Sequence, residues 1–164
     1  MHVAMNRNQV TIGMVTIALS WYAMMAVHEA GHCLGALATG AVIETVEIPL
    51  VGYSRTDVSG GRYPLAVAWA GPLFGALAPV LLLLIRRSVR RQLGQALQFF
   101  AGFCLLANGV YLGVGGFVQA GDCRDLLQYG APLWLTVGFG LVLSVGGLYT
   151  WHRLGPFREW FART

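Results

Sequence analysis

Five consecutive residues, His28-Glu29-Ala30-Gly31-His32, have the types and spacing to do chemistry. On a helix, residues four apart share a face about one turn apart, so His28 and His32 can offer two imidazole nitrogens to one tetrahedral zinc ion. Glu29 would flank that ion as a general base toward a water whose pKa zinc lowers to about 7. This is the chemistry of metal-assisted hydrolysis. With four His and four Glu in 164 residues, chance supplies about 0.002 such patterns. The plainer alternative is a solvated His/Glu cluster on a soluble helix, and it fails on cost. The pattern lies in an apolar run from Val10 to Ala38, where each charged group costs about 2.5 to 3.5 kcal/mol on membrane-insertion scales.

Composition sets the surroundings. The chain is 56% hydrophobic and only 11% charged, with a mean hydropathy of +0.61, which excludes an ordinary soluble domain. All eleven basic residues are arginine, and they flank apolar segments rather than forming the basic surface patch that a nucleic-acid partner requires. No nucleic acid is expected. Cys33, Cys104 and Cys123 are odd in number and lack zinc-ribbon spacing, so they imply no disulfide framework and read as small apolar residues, Cys33 and Cys123 with a minor option of neighbouring a metal.

Four apolar segments, about 10–38, 65–85, 93–118 and 131–150, are each long enough to span a hydrocarbon core of about 30 Å. The first exceeds a signal-peptide core and lacks an A-x-A site, so it is expected to remain in the mature chain. Between the first two, Val42 to Ile48 is β-branched and Ser54 to Arg62 carries adjacent glycines. This predicts a strand or hairpin, either a simple connection or an edge for pairing with an extended peptide. Gly31 and Gly35 match the spacing of Gly71 and Gly75, so the first two helices are expected to touch there. Trp134, Tyr149 and Trp151 suit interfacial anchoring, and the tail from Leu154 to Thr164 suits the membrane surface.

Two histidines leave a catalytic zinc one protein ligand short, and no other His lies at the right ends of the segments. A carboxylate after the third segment must supply it. Asp122, nearest the membrane, is the first choice; Asp125 is the alternative, otherwise a loop charge paired with Arg124. Four crossings put eight of the eleven arginines on the side of the termini, which places the termini in the cytoplasm. His28, His32 and Asp122 then fall toward the same opposite face.

These residues resemble the site-2 protease type of intramembrane zinc metalloprotease. His28-Glu29-Ala30-Gly31-His32 matches its HExGH form, Gly71-Pro72 resembles the Gly-Pro of its next core helix, and Asp122 looks like its third ligand. The resemblance covers most of Met14 to Leu127. It implies a three-helix core holding zinc within the membrane and cleaving membrane-spanning substrates or their remnants, with Asn108 steadying the polarised carbonyl or the water. The match is to a minimal form without a PDZ or CBS domain. It departs from the family in reading Gly121-Asp122 where an Asp-Gly order is usual, and in an arginine count that puts the site away from the cytosol.

The combined expectation is one membrane-embedded domain over residues 1–164, an all-α polytopic protein with about four transmembrane helices and a β-hairpin between the first and second. It would be a zinc-dependent endopeptidase of a bacterial cell membrane, with one Zn2+ per chain on His28, His32 and Asp122, and with Glu29 and Asn108 as catalytic groups. Its partners would be a membrane-spanning protein or peptide and the lipid bilayer; the sequence carries no signal for an oligomeric state. The rivals are a non-catalytic helix-binding adaptor or zinc-retaining relic, and a zinc hydrolase acting on a lipid ester or amide.

Overall fold

The computed structural model describes residues 7–155. The order is α1 (Arg7–Thr39), β1 (Val42–Glu47), β2 (Arg55–Ser59), α2 (Pro64–Ile85), α3 (Arg91–Val118), α4 (Gly121–Gln128) and α5 (Leu133–His152). Helices α1, α2, α3 and α5 are long and apolar enough to cross a membrane. At 1.5 Å per residue, even the 20 residues of α5 reach about 30 Å. Their outward faces carry exposed Leu19, Leu34, Leu81, Leu141 and Val142, the arrangement expected where the surrounding solvent is lipid.

Helix α3 is the hub, touching α1, α2, α4 and α5. With no hydrophobic drive between helices in lipid, close approach of backbones must supply the packing. Against α5 this happens along a glycine seam: a Cβ on Gly109 would lie 2.6 Å from the Ser144 nitrogen, and one on Gly147 would lie 2.8 Å from the Gly102 carbonyl. Helices α1 and α2 meet where their glycines predict, since a Cβ on Gly31 would lie 2.5 Å from the Ala70 carbonyl. Leu105, Leu112, Leu126 and Leu143 fill the core between α3, α4 and α5.

The segment after α1 is an antiparallel hairpin, pairing Val42 with Ser59 and Glu47 with Arg55, with an irregularity between Ile43 and Thr45. Its connection folds back along α1, because the hydroxyl of Tyr22, in the middle of α1, donates to the Leu50 carbonyl at 2.7 Å. Leu50, Val51 and Tyr53 stay exposed at this tip.

One expectation changes and another gains detail. The stretch after the third segment, expected to be a loop, is the short helix α4. Trp151, expected as an interfacial anchor, also packs within the bundle, stacking on Phe99 with ring centroids 5.2 Å apart and donating its indole N–H to the Phe99 carbonyl at 3.0 Å. The tail expected along the membrane surface lies, from Pro156 on, outside the described residues, as do Arg158 and Arg163 of the charge count.

Candidate metal centre

His28 and His32 lie one turn apart on the inner face of α1, buried together with Glu29. Asp122 comes to them from α4. Helix α3 ends in a left-handed residue, Gln119 at φ 50°, and Gly121 follows at φ 53°, so the chain reverses within three residues. Gly121 has a second reason to lack a side chain, because a Cβ there would collide with the Tyr111 hydroxyl. That hydroxyl accepts the Asp122 backbone N–H at 2.8 Å, which fastens the first turn of α4 to α3.

Three atoms converge. Asp122 Oδ2 lies 2.8 Å from His28 Nε2 and 3.2 Å from His32 Nε2, and the two Nε2 atoms are 3.3 Å apart. The other ring nitrogens decide what this means. His28 Nδ1 is 2.7 Å from Asn108 Oδ1, and the amide orientation follows from its NH2 donating to the Cys104 carbonyl at 2.9 Å. His32 Nδ1 is 2.9 Å from the Val67 carbonyl. Both partners can only accept, so Nδ1 carries a proton in each ring, which is the tautomer that leaves Nε2 as the metal-ligating nitrogen, and the two Nε2 atoms face each other and a carboxylate. Such a cluster, two imidazole nitrogens and a carboxylate oxygen facing one point, is able to hold a metal cation.

The donor set fits zinc. Tetrahedral bonds of 2.0 to 2.1 Å imply ligand separations of about 3.3 Å, close to the spacings here. Asp122 supplies the carboxylate oxygen of the set, beside the two imidazole nitrogens. Gly71 supplies the space: a Cβ there would collide with His32 Nε2. The Gly-Pro step of α2 therefore forms the wall against which His32 lies flat.

Glu29 is held from a different direction. Its Oε1 accepts the Ser54 hydroxyl at 2.5 Å and its Oε2 the Thr56 hydroxyl at 2.6 Å, so the hairpin grips both oxygens. Two cavities meet the site. One, of about 340 Å³ and mostly apolar, runs from Trp21, Met25 and Val110 to His28, Glu29 and Asn108. The other, of about 170 Å³ and more polar, is lined by Asp57, Asp125 and Tyr129 and reaches His32 and Asp122.

The sequence-derived site residues are thus brought together except one. Asp125 is not among the converging donors; it is partly exposed and lies 3.6 Å from Arg124. Alongside the carbonyl-steadying task expected of it, Asn108 has a contact that orients His28. Cys123 is not among the converging donors: burial first, and the neighbouring Asp122 charge second, push its thiol up to about 12, and it donates to the Tyr111 carbonyl at 3.4 Å. Ser54, Thr56, Val67 and Tyr111 were not foreseen as site residues. Ser54 and Thr56 had a legible signal, two hydroxyls at the two-residue spacing that shares one face of a strand.

In comparisons with known proteins, no family model, no curated protein and no solved structure matches the chain. What stands is a polytopic helical fold in which a His/His/Asp cluster able to coordinate a metal is enclosed among membrane-length helices.

Proposed function

We propose that this chain is a zinc-dependent intramembrane endopeptidase. The observation that carries the reading is the pair of Nε2 atoms and the Asp122 carboxylate converging beside a buried, doubly held Glu29. Zinc on His28, His32 and Asp122 would supply a Lewis acid that polarises the scissile carbonyl and acidifies water. The remaining work belongs to the chain. Glu29 takes a proton from the attacking water, whose oxygen bonds to the carbonyl carbon, and then gives that proton to the nitrogen as the C–N bond breaks. Asn108 and the Val67 carbonyl fix the tautomers and orientations of the two imidazoles.

The two cavities suit the two reactants. An unwound stretch of a membrane-spanning substrate fits the apolar cavity between α1 and α3, with the hairpin beside it, while water reaches the opposite side of the site through the polar one. A purely structural metal has no use for a buried carboxylate held in place next to its ligands, which disfavours the adaptor or relic. The test is Glu29→Gln, followed by zinc content and by cleavage of a reconstituted single-span reporter. Zinc retained with cleavage reduced about 100-fold or more is expected for a lost general base. Unchanged cleavage would remove that role, and wild type that binds zinc and spans but cuts none would favour the adaptor.

A further inference from the structure

At the end of the bundle opposite the metal centre, the α2–α3 turn and the end of α5 enclose a recess of about 450 Å³. Its rim carries Arg86, Arg87 and Arg153. The glutamine at its base, Gln98, is buried at 6% exposure and ties the recess together: its oxygen accepts from Arg86, and its nitrogen donates to the Thr150 carbonyl at 2.9 Å. Arg86 is thereby held in place by one of its five N–H donors, with the others uncommitted to protein acceptors among the described residues. None of the three arginines has an ion pair there either. Every described carboxylate, Glu29, Glu44, Glu47, Asp57, Asp122 and Asp125, belongs to the metal centre, the hairpin or α4 at the far end.

Three guanidinium groups around one recess repel one another, and the described protein supplies no anion to offset this. The wall below them is apolar, formed by Leu83, Leu84 and Tyr149, with Leu84 and Tyr149 exposed on the outer faces of their helices. A cationic rim above an apolar, membrane-facing wall matches a phosphate headgroup joined to an acyl chain. We propose that this recess binds an anionic phospholipid, its phosphate among Arg86, Arg87 and Arg153 and its chain along Leu83, Leu84 and Tyr149. A free phosphate would use the rim and leave the apolar wall without purpose. The site is independent of the peptidase reading.

Full-length protein in detergent would be titrated with phosphatidylglycerol, phosphatidylcholine and inorganic phosphate, with bound lipid counted by native mass spectrometry. Arg87→Gln/Arg153→Gln should weaken phosphatidylglycerol binding about 25-fold, at about fivefold per arginine. Arg90→Gln/Arg91→Gln removes the same number of charges from the same end of the bundle, outside the recess, and should change little. Arg87→Lys/Arg153→Lys, which keeps the charge, should retain most of the binding and serves if the glutamine variant does not elute as a folded species. Equal losses in the two glutamine variants would mean diffuse attraction and overturn the site. Phosphatidylcholine binding as tightly, or phosphate displacing the lipid at similar concentration, would overturn the anionic-lipid assignment.

Discussion

Thr56, on the second strand of the hairpin, donates its hydroxyl to Glu29 Oε2 at 2.6 Å, joining the β element to the one carboxylate that the membrane-length helices carry among the described residues. With Ser54 on the other oxygen at 2.5 Å, this fixes the carboxylate plane and supplies two donors to a charge that burial would otherwise leave poorly solvated. Hydrogen bonds to ionised groups contribute about 1.5 to 3 kcal/mol each. The hairpin is therefore part of the site.

Removing those donors should disturb the carboxylate without disturbing the metal ligands. Thr56→Val is expected to lower the turnover of a cleaved reporter about tenfold or more, with zinc content unchanged, and Thr56→Ser should recover most of it because the hydroxyl is restored. If Val and Ser variants behave alike, the contact only packs the hairpin.

Asn108 bears on metal affinity instead. Its Oδ1 holds the His28 Nδ1 proton at 2.7 Å, and partners of this kind affect metal binding by about 10- to 100-fold. Asn108→Leu should weaken zinc binding by that range in a chelator competition, whereas Asn108→Asp, which keeps an acceptor, should bind zinc within a few-fold of wild type. Equal affinity in the Leu variant would mean that His28 is oriented by its helix alone.

Gly71 tests the geometry sterically. A methyl group there overlaps the His32 imidazole, so Gly71→Ala must push the ring off the Val67 carbonyl and away from Asp122. Loss of zinc and a destabilisation of about 1 to 3 kcal/mol are expected. Gly138→Ala, on α5 with open space around it, should keep zinc and change stability by no more than about 0.5 kcal/mol. Zinc retained at full stoichiometry in Gly71→Ala would place His32 elsewhere.

Much of this arrangement was legible because membrane proteins restrict what a sequence can do. Apolar runs of about 20 residues have few alternatives to spanning helices, and a His-Glu-x-x-His pattern at that depth has few bland readings. The touching glycines of α1 and α2 were readable for the same reason, since small residues are what permit close packing in lipid. Helix α4 was not readable: it is two turns of mostly polar residues, and its placement depends on the reversal at Gln119–Gly121 and on Tyr111, which is distant in sequence. The shared face of Ser54 and Thr56 was legible from their spacing, but not that it meets Glu29, because the fold-back of the hairpin is set by tertiary contacts such as Tyr22 with Leu50.

The separation of Asp122 from Asp125 gives the most direct test of the metal centre. They are three residues apart on one short helix, yet Asp122 Oδ2 lies within 3.2 Å of both imidazoles while Asp125 faces Arg124. Asp122→Asn keeps the shape but removes the anionic donor, leaving two neutral imidazoles to hold a divalent ion, so zinc per chain should fall from about one to a small fraction. Asp125→Asn should keep about one. Because metal bound only to the folded state stabilises it, a chelator should lower the Tm of wild type and of Asp125→Asn and leave that of Asp122→Asn nearly unchanged. Zinc retained by Asp122→Asn and lost from Asp125→Asn would mean that α4 turns on metal binding, and the three-atom convergence would no longer describe the loaded site.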